Sequence, residues 1–177
     1  MTATTERDQE EYTALRATIR ERGTARVCLF VVGFVAWGAL AVATAALTSI
    51  PVASLLPLLV LAAVFEAVFA LHIGVERVGR YLQVFHETGD GAAWERTAMA
   101  FGRPKGAAVA DGLFVIPFLL GALFNIVPAL IAQATPAEIV FVGGAHALFV
   151  LRLAVARAAA ARQRDVDLER FRQLKPD

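Results

Sequence analysis

The sequence predicts an all-α protein of the integral-membrane type: a four-helix bundle built from two antiparallel transmembrane hairpins, with amphipathic cytoplasmic helices around it. Three observations carry that expectation. Hydrophobic residues make up 58% of the 177-residue chain, against about 45–50% in soluble domains, and the mean hydropathy is positive. Four stretches, residues 27–47, 52–74, 113–132 and 139–156, approach the ~20 apolar residues needed to cross a hydrocarbon core about 30 Å thick. Basic residues, finally, are confined to three places along the chain.

That confinement gives the threading. Of the 17 lysines and arginines, five precede residue 27, five lie between the second and third apolar stretches, and seven follow from Arg152 onward. The two remaining connections, "TSIPVAS" and "QATPAE", hold none. Short loops rich in Lys and Arg stay on the cytoplasmic side, so both chain ends and the middle connector are expected there, a parity that four spans satisfy and three or five do not. Arginine outnumbers lysine 15 to 2 and alanine is abundant, a bias that fits a GC-rich bacterial genome and hence a cell inner membrane.

Residues 1–26 read as a cytoplasmic amphipathic helix. Thr5 with Asp8 resembles a capping box, although that box ordinarily ends in Glu or Gln, and Tyr12, Leu15 and Ile19 recur at helical spacing. A cleaved signal peptide is the competing reading of the first span, because "AVATAA" offers small residues. The 26-residue mixed-charge leader argues against it.

Residues 27–74 form the first hairpin, turning at Pro51, and residues 113–156 the second, turning at Pro136. Both run in the same direction, so any internal symmetry axis lies along the membrane normal. Pro117 and Pro128 are candidate kinks in the third span. Gly143 and Gly144 are expected at a close helix contact.

The connector 75–112 begins as an amphipathic continuation of the second span. His72, Glu76, Arg80, Gln83 and Glu87 fall within about 80° on a helical wheel, opposite Val75, Val78, Tyr81, Leu82 and Phe85. Bending at Gly74 or Gly79 along the inner headgroups and a straight extension against a partner are both compatible with this pattern. "HETGDGAAW" marks a turn, "AAWERTAMAF" a short helix whose Trp94 suits a membrane interface, and "GRPKG" a further break. Residues 157–177 are a basic cytoplasmic helix, with Val166, Leu168, Phe171 and Leu174 among its arginines.

Four polar residues interrupt the apolar stretches: Glu66, Asn125, His146 and Arg152. Depths follow from about 1.5 Å per helical residue counted from the two turn prolines. Glu66 lies 15 residues beyond Pro51 and Arg152 lies 16 beyond Pro136, so they are expected level and able to pair. Asn125, 11 residues before Pro136, and His146, 10 after it, are expected level as well. Because intramembrane charges are costly, they generally face the bundle. Ala62, Ala63 and Ala70 around Glu66 predict a small-residue face buried in protein.

Two uses of this network compete: a proton or ion relay through Glu66, His146, Asn125 and Arg152, and helix glue. His146 and Arg152 stand about 120° apart around their helix, off a common stripe, which favours glue. A cytoplasmic-edge group, His72, Glu76, Arg80 and Trp94, is the second cluster. The expected partners are the lipid bilayer and either further copies of the chain or other membrane subunits. Nucleic acid is excluded by the interleaved acidic residues.

No catalytic, phosphate-binding or dinucleotide motif occurs. Cys28 is the single cysteine, ruling out an internal disulfide. His72, His86 and His146 differ too much in depth for one metal site, so no metal and no cofactor is expected. The leading reading is therefore a non-enzymatic packing or accessory subunit of a membrane assembly. Small proton, ion or solute transport through Glu66 and His146 comes second, and an enzyme acting at the cytoplasmic interface third.

Overall fold

The computed structural model describes residues 3–47, 50–87, 94–101, 108–132 and 134–175, and the side chains of these except 3–5, 99–101 and 108–114. Among the described residues five helices follow one another: α1 (Ala3–Ala45), α2 (Leu55–Phe85), α3 (Trp94–Phe101), α4 (Ala108–Ile131) and α5 (Pro136–Leu174), with a 3-10 turn at Pro51–Ser54 before α2. No strand occurs among the described residues. Residues 88–93 of the turn expected at 86–94 and the break expected at 102–106 lie outside them.

The amphipathic leader and the first span are one unbroken helix, α1, and α5 likewise runs unbroken past its apolar stretch; α2 continues past its own, as the amphipathic pattern after Gly74 expects. The backbone of Thr5 lies inside α1, which runs from Ala3; the side chain of the expected cap lies outside the described ones. Three helices are long and apolar enough to cross a membrane, whereas the apolar stretch measured in α4 is the shorter Val115–Ile131. α4 runs through both Pro117 and Pro128.

The chain divides into two compact units. The first gathers Met1–Val27, Phe69–Ala107 and Ala159–Asp177; the second is Cys28–Val68 with Ala108–Ala158.

In the second unit the buried positions recur at three- and four-residue steps. Leu58, Leu61, Phe65 and Val68 on α2, Phe118, Ala122, Asn125 and Ala129 on α4, and Val142, His146, Phe149, Leu153 and Ala156 on α5 are all buried. This is the spacing of a helical seam packed knobs into holes. Phe118 sits at its centre, with edge-on aromatic contacts to Phe30, Phe34 and Phe65. A Cβ on Gly33 would collide with both methyls of Val64, and one on Gly121 would lie 3.1 Å from Leu61, so these two glycines let α1 and α4 close on α2. Gly143 and Gly144, expected at such a contact, have nothing within 4 Å of an added Cβ. Their face points away from the chain's own helices.

The outside of this unit is apolar: Val35 is 68% exposed, Phe124 68% and Val140 74%. Only 6% of the apolar window of α1 is buried. An outer surface made of large apolar side chains around a core that is itself mostly apolar is unlike a water-soluble domain, whose surface is polar. It is the arrangement expected where lipid is the solvent.

α5 opens with a true capping box. Thr135 donates through its backbone N–H to Glu138 Oε2 at 2.8 Å, while the Glu138 N–H reaches back to Thr135 Oγ1 at 3.4 Å. Pro136, at the first helical position, gives up no needed donor.

Candidate functional site

The seam of the second unit holds the first polar group. Asn125, 3% exposed, and His146, 5% exposed, meet with Nδ2 3.0 Å from Nε2. The same Nδ2 donates to the Ser54 carbonyl at 2.7 Å. His146 Nδ1 lies 2.8 Å from the Val142 carbonyl. A carbonyl only accepts, so Nδ1 carries the hydrogen and Nε2 offers its lone pair to the Asn125 amide. Both ring nitrogens are thereby engaged, as are both amide hydrogens of Asn125. A single polar residue at a buried seam position fixes register, since any slip strands its hydrogen bonds.

Glu66 and Arg152 form the second group. Arg152 Nη2 donates to Glu66 Oε2 at 2.7 Å, and its Nε stands 2.7 Å from Oε1, a two-pronged carboxylate contact. The guanidinium also lies over the Phe65 ring, 5.8 Å from its centroid. The pairing is as the depth count expects; the burial is not. The two side chains are 49% and 40% exposed, on the outer flank of the α2–α5 seam. The reason is angular: Phe65 and Leu153 occupy the seam, and each charged residue is one position, about 100°, away from its neighbour there.

The first unit holds the third group, on the polar stripe of α2. Instead of facing water, this stripe turns inward. Arg80 is 0% exposed and Glu87 7%. Arg80 Nη2 donates to Asp167 Oδ2 at 2.9 Å and Nη1 to Glu76 Oε2 at 3.3 Å. Glu76 also accepts a forked contact from Arg164, and Asp167 accepts from Gln163 at 2.7 Å. Arg26 Nη1 lies 3.0 Å from His72 Nδ1. Because a guanidinium has only donors, Nδ1 is the accepting nitrogen, which leaves the Nε2 hydrogen directed to Glu76 Oε1, 3.6 Å away.

The electrostatics follow from this crowding. Burial alone raises the Glu76 carboxyl, but the Arg164 hydrogen bond, the His72 ring whose Nε2 hydrogen faces it, and the charges of Arg164 and Arg80 outweigh it and hold it below its usual range. Asp167 behaves likewise: burial opposes, while Gln163, Arg80 and Arg77 prevail and lower it. Tyr81 donates to Glu11 Oε1 at 2.7 Å, and that bond with burial pushes the phenol up to about 12.

α3 is held at its start by α2. The Glu87 carboxylate accepts the backbone N–H groups of Glu95 and Arg96, an anion placed on the positive end of a helix. Glu95 in turn accepts from Arg16 of α1. Trp94 stands apart from the charge cluster, 66% exposed.

Of the eight singled-out polar and interfacial residues, the structure thus pairs Asn125 with His146, Glu66 with Arg152, and His72 and Arg80 with Glu76. Sequence reasoning missed Ser54, Arg26, Arg164 and Asp167. Asp167 had a signal, being four residues beyond Gln163 and one before the apolar Leu168; the Ser54 carbonyl had none. Among the described residues no group of three or more His, Cys, Asp or Glu could hold a metal ion.

Comparison with protein-family models, curated proteins and solved structures finds no match to this chain. The fold itself defines the class: an all-helical membrane protein with three long apolar helices.

Proposed function

We propose that the chain is a four-span, non-enzymatic protein of the cell inner membrane, with both ends cytoplasmic, serving as a packing or accessory subunit of a membrane assembly. The distribution of basic residues supports the orientation. In this reading α4 is the third of the four spans, and residues 1–26, 75–112 and 157–177 are the cytoplasmic segments.

One observation carries the choice of glue over conduction. His146 and Asn125 spend their ring nitrogens and amide hydrogens on Val142, Ser54 and each other, which favours a fixed register over a relay that must repeatedly accept and release protons. The polar residues of the spans then act as interhelical hydrogen bonds, each contributing on average about 0.6 kcal/mol in a bilayer.

The test is flux through sealed vesicles carrying the purified chain, wild type against Asn125→Leu and Glu66→Gln. The expected result is no proton or ion current above that of empty vesicles for any of the three, with Asn125→Leu less heat-stable by about 1–2 kcal/mol. A wild-type current abolished by Glu66→Gln in a chain that still folds would overturn the reading in favour of transport.

A further inference from the structure

We infer that the flank bearing Glu66 and Arg152 is the contact through which two copies of this chain associate side by side in the membrane. The inference rests on the membrane reading above and deepens it by naming the partner. Three observations point to a second copy.

The first is exposure at depth. Glu66 lies 15 residues beyond Pro51, about 23 Å along the helix, and eight residues before Gly74, about 12 Å. Both distances place it inside a hydrocarbon layer about 30 Å thick. Yet the carboxylate is 49% and the guanidinium 40% exposed in the single chain. Charges at such depth generally face protein rather than lipid.

The second is charge complementarity. The patch carries one anion and one cation side by side, joined by contacts of 2.7 Å, so the two groups share a depth. A two-fold rotation about the membrane normal keeps every residue at its depth. It therefore brings Glu66 of one copy opposite Arg152 of the other, twice, as a closed isologous contact requires. A guanidinium has five donors and a carboxylate about four acceptor sites, so each group can serve its own chain and a neighbour together.

The third is relief. Around Glu66 the exposed stripe of α2 is Ala63, Ala67 and Ala70, which places no bulky side chain between the charges and an approaching helix. This stripe permits the approach; the ion pair specifies what approaches.

The experiment separates contacts between chains from those within one. Two differently tagged full-length copies are co-expressed and drawn from the membrane in mild detergent, and the fraction of one tag captured with the other is measured. Glu66→Arg alone and Arg152→Glu alone are each expected to lose about tenfold in self-capture. Expressed together, they restore capture to near the wild-type level, because each copy now offers the charge that the other lacks. A pair acting only inside its own chain gains nothing from the mixture.

A mixture as weak as either variant alone, or single variants that pair as well as wild type, overturns the proposal. If a single variant fails to fold, the wild-type surface is probed directly on a Cys28→Ser background with Ala63→Cys and a short thiol cross-linker. Cross-linked dimers are expected there, lost in large excess of untagged wild-type chain, and their absence from native membranes also overturns it. Capture of some other polypeptide without self-capture removes the second copy as partner. Flux in vesicles that depends on Glu66 would instead remove the accessory role itself.

Discussion

Arg80 offers the sharpest measurement of what holds the first unit together. Its guanidinium is fully buried, with Asp167 at 2.9 Å and Glu76 at 3.3 Å, and Arg80→Met keeps most of the side-chain volume while deleting the charge. Breaking a buried ion pair by removing one partner costs about 3–5 kcal/mol, chiefly because the other charge is left uncompensated. Here neither acid is fully abandoned. Glu76 keeps Arg164, and Asp167 keeps Gln163 and, at 3.5 Å, Arg77. The expected cost therefore falls below that range, at about 2–3 kcal/mol. Amide hydrogen exchange of residues 159–174 reads it directly, as an opening constant raised about 30- to 150-fold. Arg170→Met, on the exposed side of the same helix, should stay within about 0.5 kcal/mol of wild type. Adding Asp167→Leu to Arg80→Met should recover much of the loss, since an apolar pair often replaces a buried ion pair without penalty. Exchange within twofold of wild type for Arg80→Met would refute the claim that this cluster fastens α5 to α2.

Two further outcomes test other parts of the structure. Glu76 and Asp167 are held below their ordinary values of 4.5 and 3.8, so the stability they supply is complete above those values and is lost as pH falls through the lower folded ones. Protease sensitivity of residues 159–174 should therefore rise as the pH drops below about 4, and Glu76→Gln with Asp167→Asn should flatten the acid limb. Gly33→Ala drives a methyl into Val64 and should destabilise by about 1–3 kcal/mol in a thermal melt. Gly38→Ala, with nothing within 4 Å, should be neutral or stabilising by up to about 1 kcal/mol; equal effects at the two sites would contradict the close approach of α1 to α2.

How far the sequence could be read depended on which coordinate of a helix was at stake. Depth was legible, because a helix converts residue count into rise: counting from Pro51 and Pro136 aligned Glu66 with Arg152 and Asn125 with His146. Rotation was less so. Ala62, Ala63 and Ala70 suggested that the Glu66 face is covered, but the large residues Leu58, Leu61, Phe65 and Val68 claim the seam and turn Glu66 outward. The polar stripe of α2 could not be assigned its partners, because Arg164 and Asp167 lie 88 and 87 residues beyond Glu76 and Arg80. No local pattern reports a match that distant. The unbroken α1 was hidden for a simpler reason: charge composition changes at Val27, while the backbone hydrogen bonds do not.

Because the first unit draws on three separated stretches of chain, its completion is a late event in synthesis. A ribosome that has finished α4 has released Arg80 and Glu76, but not Arg164 or Asp167. Until α5 emerges, Arg80 has only Glu76 from the pair that will enclose it, and Glu76 lacks Arg164. Chains interrupted before residue 159 lack Arg164 and Asp167 and leave Arg80 and Glu76 without those partners.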